Sequence, residues 1–189
     1  MDAWNTVTDG RTRTWAVLPA LCMGMALWMA SAGAQAHRAH VHGVAQLEVA
    51  VDGPQLEVAL LGPQDNYIGF EHPPRTPAQK KAHADMLKRL QQAGQWFLAN
   101  PEARCSVTAQ DAETDAEAGG AHADIEVSVS FTCQAPEQLR HLVVMPWQAM
   151  PRLRQLQATV VTPGASRKVN LKRPSGEAQV VLELGAARR

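Results

Sequence analysis

Cys105 and Cys133 stand symmetrically about Gly119-Gly120, and this spacing constrains the fold more than any other feature of the chain. If the flanking segments pair as antiparallel strands about a turn at the two glycines, the cysteines come opposite each other. The second segment supports that arrangement. Ile125, Val127, Val129, Phe131 and Cys133 alternate with polar residues and share one face, the strongest strand signal in the sequence. A disulfide closing the loop would stabilise the domain by roughly 3–4 kcal/mol through chain entropy. A metal held by two thiolates is the other reading. It lacks the close Cys spacing usual at zinc sites.

The choice between them depends on compartment. Arg11 and Arg13 precede an almost uncharged run from Trp15 to Ala30, followed by Ser31-Ala32-Gly33-Ala34-Gln35-Ala36. This is a positive n-region, an apolar h-region and an A-x-A cleavage site, so residues 1–36 read as a cleaved secretory signal. The apolar run is short and contains Pro19 and Gly24, whereas a permanent span needs roughly 20 apolar residues. Cys22 leaves with the signal, and an even pair remains in an oxidising compartment, which favours the disulfide. Residues 37–184 are then one domain, with 185–189 as a tail. The chain carries 18 basic and 18 acidic residues, and with no basic stripe it has no electrostatic footprint for nucleic acid.

Val44 to Asp52 and Gln55 to Leu61 both alternate, with Asp52-Gly53-Pro54 between them, and predict a β-hairpin. The stretch Gly62 to Arg75 is too rich in Gly and Pro for regular structure. Thr76, Pro77 and Gln79 form a capping box, opening a helix that should run to about Ala93 with Ala82, Met86, Leu90 and Ala93 as its buried stripe. His83 beside that stripe reads as an ordinary helix-surface histidine. Trp96, Phe97 and Leu98 should anchor the helix end to the core. Cys105 to Ala109 predicts a short strand and Asp111 to His122 an acidic loop. Leu139 to Met145, Gln155 to Thr162, Arg167 to Leu171 and Gln179 to Leu184 predict further strands, with a short helical turn at Pro146 to Pro151. The expected class is α+β, a single domain with a mostly antiparallel β-sheet and one main α-helix.

His37, His40 and His42 lie within six residues, and imidazole is the commonest protein ligand for zinc and copper. A structural zinc site takes four protein ligands, so the cluster needs partners. The best candidates are His122 with Asp124, and Glu71 with His72. Asp111, Glu113, Asp115 and Glu117 add negative potential that draws cations. A solvated N-terminal histidine stretch and a solvated acidic loop are the alternative reading of the same residues. If cleavage leaves His37 first, its amine and imidazole with one more histidine could hold copper as a histidine brace. There is no G-x-S-x-G, no H-E-x-x-H and no phosphate-binding glycine loop, so no enzymatic activity is expected.

The runs His40-Val41-His42-Gly43-Val44-Ala45-Gln46-Leu47 and Gly69-Phe70-Glu71-His72-Pro73-Pro74-Arg75-Thr76, then Cys105, then His122-Ala123-Asp124 ahead of Phe131-Thr132-Cys133, resemble the ZrgA-like family of exported bacterial zinc-binding proteins. The resemblance spans His37 to about Leu184. It implies a periplasmic, zinc-binding accessory protein beside a high-affinity zinc uptake system, with the periplasmic binding component of a zinc ABC importer as partner, and it supports the cysteine pair. Many relatives carry a long histidine- and aspartate-rich insertion between the cysteine strands. Here that region is only Asp111 to Ala121, which leaves His37, His40, His42, His122 and Asp124 as the smaller ligand set. The competing class is an envelope interaction or structural module whose exposed strand edges recruit a partner without metal.

Overall fold

The computed structural model describes residues 41–114, 122–176 and 179–185. The export signal, His37, His40, the Gly119-Gly120 turn and the tail beyond Gly185 lie outside the described residues. Strands β1 (Val44–Asp52) and β2 (Gln55–Pro63) form the expected hairpin, with Asp52 opposite Gln55 and Gly53 in a left-handed conformation at the turn. Leu47 and Val49 of β1 and Leu56, Val58 and Leu60 of β2 are buried on one face, as the alternation requires.

Two helices follow, the single turn α1 (Asp65–Ile68) and α2 (Pro77–Leu90). The Thr76 hydroxyl accepts from the Gln79 backbone N–H at 3.2 Å, and the Gln79 side chain accepts from the Thr76 N–H at 3.1 Å. This is the capping box expected from sequence. The helix stops at Leu90, before Ala93, because a 3₁₀ turn over Ala93–Trp96 tightens the exit. Strand β3 (Phe97–Ala99) comes next, and its pleat buries Phe97 while leaving Leu98 50% exposed. Leu98 is therefore not part of the anchor that Trp96 and Phe97 supply.

The cysteine strands are β4 (Cys105–Thr114) and β5 (Asp124–Cys133). Cys105 pairs opposite Cys133 and a disulfide joins them. A β-bulge between Val107 and Ala109 shifts the later register by one residue, so that Glu113 faces Glu126. β4 runs beyond Ala109 to Thr114, which places Asp111 and Glu113 on a strand and not in the acidic loop.

β6 (His141–Val144), β7 (Gln155–Thr162), β8 (Ala165–Lys172) and β9 (Val180–Glu183) complete the described strands. They do not form the single sheet expected. Six strands order as β4-β5-β2-β1-β7-β8, and β3-β6-β9 form a second sheet. β1 and β7 run parallel, with Val44 beside Gln155. Parallel neighbours need a long crossover, and the intervening chain with α2 provides it. The protein is thus largely β, and the other described strand pairs are antiparallel. The inner face of the six-stranded sheet shares one core with Met86 and Leu90 of α2, Phe97, Leu142, Val144 and Leu182 of the small sheet, and Trp147. Arg167, Lys168 and Lys172 on the outer strand β8 discourage edge-to-edge association.

A histidine–carboxylate cluster at the end of the large sheet

The Gly- and Pro-rich stretch after β2 concentrates buried polarity. Gln64, Asp65, Asn66 and Glu71 are all buried, and Asn66 has no exposed surface. Buried polar groups are tolerated only when paired. The Asn66 carboxamide oxygen accepts from the Gly43 N–H at 2.7 Å, and its NH₂ donates to the Val44 carbonyl at 2.9 Å. The Asn66 carbonyl in turn accepts from the Arg152 N–H at 3.1 Å. One side chain therefore clamps the start of β1, directly after His42. Gly43 itself has φ +82, and a Cβ there would come within 3.2 Å of the Arg154 side chain.

Gln64 ties the other side. Its N–H donates to the Ala123 carbonyl at 2.8 Å, next to His122, and its side-chain NH₂ donates to the Phe70 carbonyl at 3.1 Å, next to Glu71. These links bring His42, Glu71 and His122 together. Glu71 Oε1 lies 3.1 Å from His42 Nε2, and Glu71 Oε2 lies 2.6 Å from His122 Nδ1. A carboxylate oxygen can only accept, so each facing ring nitrogen carries a proton and donates. On its other side, His42 Nδ1 is 3.8 Å from Asp65 Oδ2, which accepts from Arg152 Nε at 3.1 Å. The Glu71 side chain is only 6% exposed, whereas those of His42 and His122 are 57% and 63% exposed. The cluster thus has a buried anionic floor and two accessible imidazole walls.

This arrangement suits a divalent cation of borderline softness. Nitrogen and oxygen ligands at zinc's usual bond lengths, set tetrahedrally, stand roughly 3.3 Å apart. The His42–Glu71 contact is close to that spacing, and the shorter His122–Glu71 contact would open slightly. Zinc entering here would need a lone pair on both facing nitrogens, so each neutral ring would present its other tautomer, and acid would compete with the metal. As they stand the side chains hold hydrogen-bonded spacing. Among the described residues no group of three His, Cys, Asp or Glu side chains already converges as a metal site.

The other sequence candidates lie elsewhere. His72 points away, its ring stacked on Phe70 with centroids 5.1 Å apart and its Nδ1 bonded to the Pro73 carbonyl at 2.9 Å. Asp124 opens β5 opposite Pro63 and lines a separate hollow with Leu61, Glu113, Thr114 and Glu126. His37 and His40 lie outside the described residues. Sequence reasoning missed Gln64, Asp65, Asn66 and Arg152. The polar run Gln64-Asp65-Asn66 inside a Gly- and Pro-rich stretch was the available signal for three of them, and Arg152 had none.

The fold and cluster define a small β-rich protein with a histidine–carboxylate cluster mounted where β1, β5 and the post-β2 loop meet. The family model for ZrgA family zinc uptake proteins matches residues 39–180, and the chain belongs to that family. No curated protein matches it. Among the described residues no helix is long and apolar enough to cross a membrane.

Proposed function

We propose that the protein is an exported, periplasmic, non-enzymatic zinc-binding accessory protein that buffers zinc or delivers it to a high-affinity uptake system. Zinc is its cargo. The observation that carries this reading is the position of Glu71, whose two oxygens face histidines from two distant parts of the chain. Membership of a zinc uptake family supports the choice of metal.

His42, His122 and Glu71 are the central ligands of this reading, and His37 and His40, a few residues earlier in the sequence, are further candidates. Asp124 and His72 are outer candidates. Exposure of both imidazoles favours transfer over permanent retention, since structural zinc is normally enclosed by four protein ligands. The receiving partner in this reading is the periplasmic binding component of a zinc ABC importer.

The test is direct transfer. Zinc-loaded protein is mixed with that metal-free binding component, the two are separated, and metal is measured in each. Zinc should move to the binding component from the wild-type protein, and a His42→Ala/His122→Ala variant should carry none to give. Stable association of the two proteins with no metal dependence and no transfer would favour an envelope interaction module instead.

A further inference from the structure

A cavity of about 430 Å³ opens on the Asp65 side of His42. Its ionisable walls are His42 and Asp65 together with Arg152, Arg154 and Arg173. Asp65 neutralises Arg152. Arg173 donates through one nitrogen to the Pro151 and Leu153 carbonyls, which are neutral acceptors. The Arg154 stem lies over Gly43, and its guanidinium has no hydrogen-bond or ion-pair partner among the described residues. The cavity therefore holds two guanidinium charges with no counter-ion among the described residues. Each guanidinium has five N–H donors in a planar fork, and most of those on Arg154 and Arg173 are unspent.

We propose that this cavity is a binding site for a small polycarboxylate anion of the citrate class. Guanidinium forks match carboxylates two bonds at a time. The three arginines are set around the cavity by different contacts: Arg152 by Asp65, Arg154 by Gly43 and Arg173 by the loop carbonyls. A tricarboxylate offers a separate bidentate acceptor to each of the three forks, whereas the four oxygens of one phosphate must be shared among them. The volume falls within the roughly 300–1,000 Å³ of ordinary small-molecule sites. Because His42 is a wall of both places, a carboxylate bound here could also reach a metal on His42, a link that rests on the zinc reading above. Anion binding itself does not depend on zinc.

The test titrates tricarballylate, a tricarboxylate, into the metal-free protein at low ionic strength by calorimetry. Wild type should bind one equivalent. Arg154→Gln should bind on the order of tenfold more weakly or worse, as loss of a charge-assisted hydrogen bond implies, while melting at the wild-type temperature. His122→Ala, which lies outside the cavity lining, should retain tricarballylate. The proposal is overturned if wild type shows no binding up to about 5 mM, if Arg154→Gln binds equally well, or if inorganic phosphate binds as tightly as tricarballylate. Zinc titration of the same samples keeps the two readings apart. Zinc binding without tricarballylate binding overturns the anion site alone, and the converse leaves the anion site standing without the zinc site.

Discussion

His122 Nδ1 stands 2.6 Å from Glu71 Oε2, although 51 residues of chain separate them. Glu71 is almost fully buried, so its charge is stabilised by the two imidazole donors and not by water. Glu71→Gln keeps the shape and removes the charge. Zinc affinity should fall about tenfold or more, and the metal-free protein should lose about 1–3 kcal/mol. Zinc calorimetry and the urea midpoint check the two parts separately.

Asn66→Ala should be more disruptive to the fold. It leaves the Gly43 N–H and the Val44 carbonyl without their side-chain partner at the start of β1. Each buried orphan costs about 1–3 kcal/mol, so a total loss of roughly 2–6 kcal/mol is expected in urea unfolding. Zinc affinity should weaken as well, because His42 adjoins the released residue.

Reduction of Cys105–Cys133 should cost about 3–4 kcal/mol, since the cross-linked residues are 28 apart in sequence. The disulfide closes the end of β5 opposite to His122, so the folded reduced protein should bind zinc as the oxidised one does. Urea unfolding and zinc titration with and without reductant measure both. A large change in zinc affinity on reduction would point to thiolate ligands.

Tyr67 is the only tyrosine and lies buried in α1, and burial pushes its hydroxyl well above the ordinary value of 10.0. The unfolded chain releases this proton first, so the folded state binds more protons above pH 10 and stability falls as pH rises through that range. Tyrosinate absorbance should therefore appear together with loss of the β-sheet circular dichroism signal. Ionisation in the intact fold near pH 10 would contradict the packing around Tyr67.

Local patterns carried much of this architecture. Alternation located β1, β2 and β5 closely, the Thr76–Gln79 box placed the start of α2, and the symmetry about Gly119-Gly120 anticipated the Cys105–Cys133 pairing. Alternation says which face is buried but not which strand lies alongside. The parallel β1–β7 pair and the separate β3-β6-β9 sheet depend on contacts distant in sequence, and neither was legible. β4 was read short because its outer-edge position leaves most of its residues exposed and without an apolar rhythm. In the cluster, His42, His122 and Glu71 were readable as ligand types. The Asp65–Arg152 pair and the Asn66 clamp were not, since they arise where the single turn α1, in a segment without periodicity, meets the start of β1 and the chain before β7.

The most direct test is zinc titration of the purified protein by calorimetry beside His42→Ala/His122→Ala, repeated at lower pH. Wild type should bind a defined one or two zinc ions, more weakly as acid protonates the imidazoles and removes their lone pairs, and the double variant should lose that binding. Undiminished zinc affinity in the double variant would contradict a site built on Glu71 and its two histidines.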